Sequence, residues 1–164
     1  MSKMHDVFMF TAFHFASKSH CVSHHVGAVI VKDGRIVSTG INGTPEDMPN
    51  CDEVFNPEDF DREKHHLWSK DNEIHAEMNA IAFAAKQDIG IGGSDMYVTI
   101  SPCNDCLKNI IPAGIKNVYY LYLYDKIQLN SELLKKINVQ EVPGAKEIKE
   151  FIEKNNLLYK PKNR

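Results

Sequence analysis

The sequence predicts an α/β protein built as a three-layer α-β-α sandwich around a mixed sheet. Three observations carry this reading. Strand-like apolar runs alternate with helix-like segments along the chain, the succession that layers helices over a sheet. Two β-branched runs, Val26–Val31 and Ile36–Ile41, flank Lys32-Asp33-Gly34-Arg35. Asp-Gly between such runs is a strong hairpin signal, and a hairpin makes the sheet mixed rather than purely parallel. The chain has 164 residues, 43% of them apolar, which suits a single domain over 1–164 with a sizeable core.

The elements follow in order. Met4–Lys18 places Val7, Phe8, Phe10 and Phe15 so that a helix can pack on a core. After the hairpin, 43–71 is polar, long and without periodicity. It reads as an irregular insertion, which in a compact domain is usually functional or tied down. Ala76–Lys86 is Ala-rich with little polar face and reads as a buried helix, ended by Gly90–Gly93. Met96–Ile100 reads as an apolar strand. Cys103–Ala113 reads as a helix opened by Pro102, a residue favoured at a first helical position. Val118–Leu123 is a Tyr-rich strand, Ser131 can cap a helix over Glu132–Ile137, and Val139–Val142 and Ala145–Asn155 read as a last strand and helix. The tail Lys160–Arg164 is expected to be frayed.

Charge and cysteine usage narrow the chemistry. The formal net charge is −3, unlike the basic footprint of a polynucleotide binder, although a few placed groups can still hold one phosphate. Val7–Phe15 is too short to span a membrane, and no signal peptide is evident, so a cytoplasmic protein is expected. Four cysteines beside eight histidines favour metal ligation over disulfides in such a chain.

Two fragments carry that chemistry: His75-Ala76-Glu77, opening the Ala-rich helix, and Pro102-Cys103-Asn104-Asp105-Cys106, opening the next. Residues three apart share a helix face, so Cys103 and Cys106 can grip one metal. Both fragments sit at predicted helix N-termini, where the backbone dipole favours thiolate. With His75 they make three protein ligands, the set that leaves a zinc a fourth position for water and marks a catalytic site. Glu77 points to another side of the turn and is free to take a proton from that water and pass it on. A lone Cys-x-x-Cys can be half of a structural zinc site, and a lone His-x-Glu occurs by chance. Together and in this order they match the zinc deaminase signature.

Further segments narrow the reading: Val26-Gly27-Ala28-Val29-Ile30, Gly40-Ile41-Asn42-Gly43, Asn72–Ile81 and Tyr97–Cys103. From about Cys21 to Lys126 the chain resembles deoxycytidylate (dCMP) deaminases, those of T-even phages in particular, within the cytidine deaminase superfamily. The resemblance implies a five-stranded sheet, a homo-oligomer (often a hexamer), and hydrolysis of dCMP to dUMP and ammonia, feeding thymidine nucleotide synthesis. It implies a catalytic Zn²⁺ on His75, Cys103 and Cys106, with Glu77 as proton shuttle. Asn42 matches the sugar-contacting position and Tyr124 a position expected at the substrate phosphate. Cys21, Cys51, His65 and Glu73 fall where the T-even type carries a second, structural Zn²⁺, with His66 and His24 as possible substitutes for His65. A closed metal site would hold the insertion over 43–71. Phe83 and Lys86 fall at positions linked to effector response, implying activation by dCTP and inhibition by dTTP, each triphosphate arriving with Mg²⁺. Lys86 stands where the T-even type has Arg, which keeps charge but loses bidentate geometry.

Rival readings stay open at this point. The substrate could be 5-methyl-dCMP, dCTP, a free nucleoside or a tRNA base, the last disfavoured by the acidic charge. A non-enzymatic zinc-binding module would leave Glu77 without a role.

Overall fold

The computed structural model describes residues 4–124 and 126–157. Helix α1, His5–Ala16, precedes the hairpin of β1, Gly27–Lys32, and β2, Arg35–Ile41. Its turn residues Asp33 and Gly34 take φ of 51° and 74°, the paired left-handed conformations that match strand twist in a two-residue loop. Helices α2, Cys51–Val54, and α3, Arg62–Asn72, follow, then α4, Ala76–Lys86, β3, Asp95–Ile100, and α5, Asn104–Ile110. The chain continues through β4, Asn117–Tyr122, α6, Ser131–Leu134, β5, Asn138–Glu141, and α7, Ala145–Lys154.

The five strands form one sheet in the order β2-β1-β3-β4-β5. Strand β1 runs antiparallel to both neighbours, while β3, β4 and β5 are parallel. Alternation along β1 divides the core. Val29 and Val31 join Met9, Ala12 and Phe13 of α1 and Ile148 and Ile152 of α7 on one face. Ala28 and Ile30 join Ala76, Ala80 and Ala84 of α4 and Leu107 and Ile110 of α5 on the other. The predicted three-layer sandwich and mixed sheet are therefore observed.

Close backbone approach seats the helices. A Cβ on Gly40 would lie 2.2 Å from the Ala76 carbonyl oxygen, and one on Gly27 would lie 2.0 Å from that of Ala12. Only glycine lets α4 lie on β2 and α1 on β1 at this distance.

Several expectations are corrected. The segment 43–71 is not irregular: it carries α2 and most of α3, with Asp61 capping α3 by accepting from the Lys64 N–H at 3.0 Å. An antiparallel bridge between Gly43 and Ile74 closes the neck of this insertion. Helix α4 is buried on one side only. Ala76, Ala80 and Ala84 meet the sheet, while Ala82, Phe83, Ala85 and Lys86 are exposed, because one face of a helix is all a sheet can cover. Pro102 lies before the helix cap, which is Cys103. Asn130 rather than Ser131 caps α6, its side chain accepting from the Glu132 and Leu133 N–H groups. The tail Lys160–Arg164 lies outside the described residues.

Candidate active site and metal centres

His75 is the N-cap of α4 and Cys103 the N-cap of α5. The two helices pack on the same face of the sheet, so their N-termini are brought side by side. Asn79 ties α4 to the end of β2, donating from Nδ2 to the Ile41 carbonyl at 2.8 Å. His75 Nδ1 then stands 3.6 Å from Cys103 Sγ and 3.3 Å from Cys106 Sγ. A tetrahedral zinc, with bonds of ~2.3 Å to sulfur and ~2.0 Å to nitrogen, sets such donors about 3.5 Å apart. Donor type and spacing both fit the metal.

Protonation in this triad is uneven. Hydrogen bonding from Cys106, then from His75, brings the Cys103 thiol down to about 4 despite its burial. The same bond, with burial, pushes the Cys106 thiol up. The contact with Cys103 raises His75 to about 9. Glu77 is 4% exposed, and burial pushes its carboxyl up, opposed by His75. A buried carboxyl with raised proton affinity suits a group that must take up a proton and pass it on.

The second predicted group also comes together. One ligand atom from each of Cys21, Cys51, His65 and Glu73 lies within 4.8 Å of all the others. Cys21 Sγ is 3.7 Å from His65 Nε2 and donates to Glu73 Oε2 at 3.6 Å. Ser69 donates to the same carboxylate oxygen. Glu73 Oε1 is buried without a hydrogen-bond partner among the described residues. A buried carboxylate oxygen left unpaired is costly, and a cation coordinated there would remove the cost. Burial, with Glu73 nearby, raises Cys21 to about 12, burial raises Cys51, and burial lowers His65 toward its neutral, ligating form. The position weighed for His24, His65 or His66 is taken by His65.

Both groups border one cavity of about 430 Å³, lined by Cys21, His65 and Glu73 from one and His75 and Cys103 from the other, with Glu77. Asn42 lines it too, but its amide is engaged with the backbone: Oδ1 accepts from Val26 N–H at 2.8 Å and Nδ2 donates to the His24 carbonyl at 2.7 Å. Each amide atom keeps capacity for one further bond. Tyr124 lines the cavity, held where its N–H donates to Ser101 Oγ at 2.8 Å and its ring meets His24 edge-on. Phe83 and Lys86 are not brought to the cavity and lie exposed at the far end of α4.

Sequence reasoning missed Arg62 and Lys126 and gave His66 only a metal role; all three line this cavity. The signal for Arg62 and His66 was the helix itself, since Asp61 three residues before Lys64 is a capping pattern. No local signal marks Lys126. A shallower cleft of about 490 Å³, lined by Lys116, Lys135 and Lys136, lies away from both groups.

A three-layer sandwich with His75-Ala76-Glu77 and Cys103-x-x-Cys106 at facing helix ends defines a class. The sequence profile of the cytidine and deoxycytidylate deaminase zinc-binding region matches residues 2–122, and the chain belongs to that family. Within it, the chain stands with the phage deoxycytidylate deaminases. It is 40% identical over 146 residues to the deoxycytidylate deaminase of enterobacteria phage T2, covering 70% of this chain and 78% of that one. The phage T4 enzyme is also 40% identical over 146 residues, covering 70% and 76%. The dCMP deaminase of cyanophage S-TIM5, solved with dCMP and dUMP, superposes with a TM-score of 0.71 at 33% identity, covering 87% of this chain and 98% of that one. Among the described residues, no helix is long and apolar enough to cross a membrane.

Proposed function

We propose that the protein hydrolyses dCMP to dUMP and ammonia, upstream of thymidine nucleotide synthesis. The observation that carries this reading is one cavity bordered both by His75 and Cys103 of the triad, with buried Glu77, and by the basic residues Arg62, His66 and Lys126. The triad suits deamination, and the Arg62 and Lys126 cations suit a phosphate. Identity to phage enzymes named for deoxycytidylate supports the same substrate.

A zinc ion held by His75, Cys103 and Cys106 would supply the Lewis acidity that lets water attack near neutral pH. Glu77 takes the proton that the attacking water loses and delivers it to the pyrimidine N3. As the bond from C4 to the amino nitrogen breaks, Glu77 takes the proton of the new C4 hydroxyl and carries it to the departing amine. One water is consumed, its oxygen stays on C4, and ammonia leaves. The low exposure of Glu77 keeps the carboxyl from bulk water between transfers. Asn42 offers its remaining donor and acceptor to the sugar hydroxyl, and Tyr124 borders the phosphate end with Arg62 and Lys126.

Cys21, Cys51, His65 and Glu73 would hold a second zinc, and with four protein ligands its role would be structural. Regulation by dCTP and dTTP, arriving with Mg²⁺, is part of the same proposal. Phe83, 46% exposed, and Lys86 stand free of the cavity on the helix that begins after His75, so an effector there would act on a metal ligand through α4.

The test is an ammonia-release panel of dCMP, 5-methyl-dCMP, dCTP and deoxycytidine. A charge-assisted hydrogen bond contributes about 1.5–3 kcal/mol, so two or more cations on the phosphate should favour dCMP over deoxycytidine by roughly 100-fold or more in kcat/KM. Equal efficiency on the nucleoside overturns the nucleotide reading. No ammonia from any of the four overturns a cytosine substrate.

A further inference from the structure

We infer that the Cys21-Cys51-His65-Glu73 centre sets nucleotide affinity: by anchoring α3 it holds Arg62 and His66 in the cavity wall, where they meet the substrate phosphate. The inference rests on the dCMP reading and goes beyond it, since it assigns the second centre a task in substrate binding.

The argument begins with how weakly α3 is otherwise attached. Its one buried residue is the ligand His65. Leu67 is 59% exposed, and no apolar stripe runs along Arg62–Asn72. An 11-residue helix without such a stripe is marginal by itself. The small apolar cluster beneath it is built around the ligands, with Cys21, Val22 and Cys51 buried and Phe55, Phe60 and Trp68 packed against them. Phe55 and Phe60 both meet the His65 ring edge-on. The buried, unpartnered Glu73 Oε1 independently points to a cation at the same spot.

Arg62 and His66 belong to this same helix, three positions before His65 and one after it, and both border the cavity. Both are exposed, so the route of α3 alone decides whether they face the cavity. The catalytic residues are anchored differently. Helix α4 is seated by Ala76, Ala80 and Ala84 in the main core. The bridge of Gly43 N–H to Ile74 O at 3.1 Å and Ile74 N–H to Gly43 O at 2.8 Å fixes the chain entering His75. Loss of the second centre therefore frees the phosphate contacts while leaving the reacting groups in place.

The test uses the full chain with Cys51→Ser, since Cys51 is a ligand that does not line the cavity. Metal analysis should give two zincs per wild-type chain and one per variant. Amide hydrogen exchange in the variant should show lost protection in α3 with α4 unchanged. KM for dCMP should rise roughly 10- to 100-fold while kcat at saturation stays within about threefold. Turnover of deoxycytidine, where measurable, should not change. Arg62→Ala in the two-zinc protein should raise KM to a similar degree, and combining it with Cys51→Ser should add little, the mark of residues acting as one unit. Were Cys51→Ser not to fold, Arg62→Ala, an exposed position, would decide: an unchanged KM for dCMP overturns the inference. So does a parallel loss on dCMP and deoxycytidine, a fall in kcat alone, or unchanged α3 protection after loss of one zinc. A wild-type enzyme indifferent to the phosphate would instead defeat the dCMP reading, and α3 exchange would still judge the anchoring.

Discussion

Glu77 stands two residues beyond His75 and lines the same cavity, yet it is buried while His75 is exposed. That difference fits the roles proposed for the two: the exposed imidazole turns Nδ1 to the sulfurs, and burial raises the proton affinity of the carboxyl. Glu77→Gln keeps the shape and removes the base. Loss of general acid–base catalysis typically costs about 100- to 10,000-fold, and a residue serving more than one transfer belongs at the upper end. Zinc content should stay at the wild-type level, because Glu77 is not among the three grouped ligands. Steady-state rates and metal analysis on the same preparation check both, and activity within about tenfold of wild type would sink the assignment.

At the scale of elements, the site depends on α4 lying close against β2. Gly40 makes this possible: a Cβ there would stand 2.2 Å from Ala76 O and 2.5 Å from Ala80 N, both backbone atoms that cannot turn aside. Gly40→Ala must lift the first turns of α4, which carry Glu77 and follow His75. Forcing extra volume into a packed contact costs about 1–3 kcal/mol. Thermal unfolding should show a lowered Tm, and kcat should fall because the groups that move are the reacting ones. An unchanged Tm would mean that the helix has slack that the backbone contacts do not show. The insertion is the contrasting element. Helix α3 has no glycine seat and no apolar face, and rests on its one buried residue, His65, beside Cys21, Cys51 and a few aromatic rings.

For the whole molecule, the outer face of α4 is the feature the single chain leaves unexplained. Phe83 is 46% exposed beside exposed Ala82 and Ala85, an apolar surface that a homo-oligomer would cover. We expect light scattering to give the mass of an oligomer, a hexamer on the family resemblance, and a monomer would overturn that. We also expect dCTP with Mg²⁺ to left-shift the dCMP saturation curve and dTTP to oppose it, with couplings of ~1–3 kcal/mol. Phe83→Ala and Lys86→Glu should blunt the response. A curve indifferent to both triphosphates would make this an unregulated enzyme, with Lys86 in place of Arg a physical reason.

The layer order, the hairpin and the His75–Glu77 and Cys103–Cys106 pairs were legible because each is a local pattern. Strand alternation, a two-residue turn and a three-residue helical spacing are set by covalent geometry. The sequence by itself therefore determined the sandwich and singled out His75, Cys103 and Cys106 as the proposed catalytic ligands, while the second proposed set and the expected substrate came from resemblance. It did not show α3, because a helix held by one buried histidine carries no apolar period to read. Nor did it show that half of the Ala-rich helix is exposed, since periodicity cannot say what covers a face. Only the tertiary structure decided that Cys21, Cys51, His65 and Glu73 share one point, and that Arg62, His66 and Lys126 border the cavity holding Glu77. The physical reason is range: these residues lie on separate loops and helices, and their meeting is set by how α4 and α5 seat on the sheet and how the Gly43–Ile74 bridge closes the insertion.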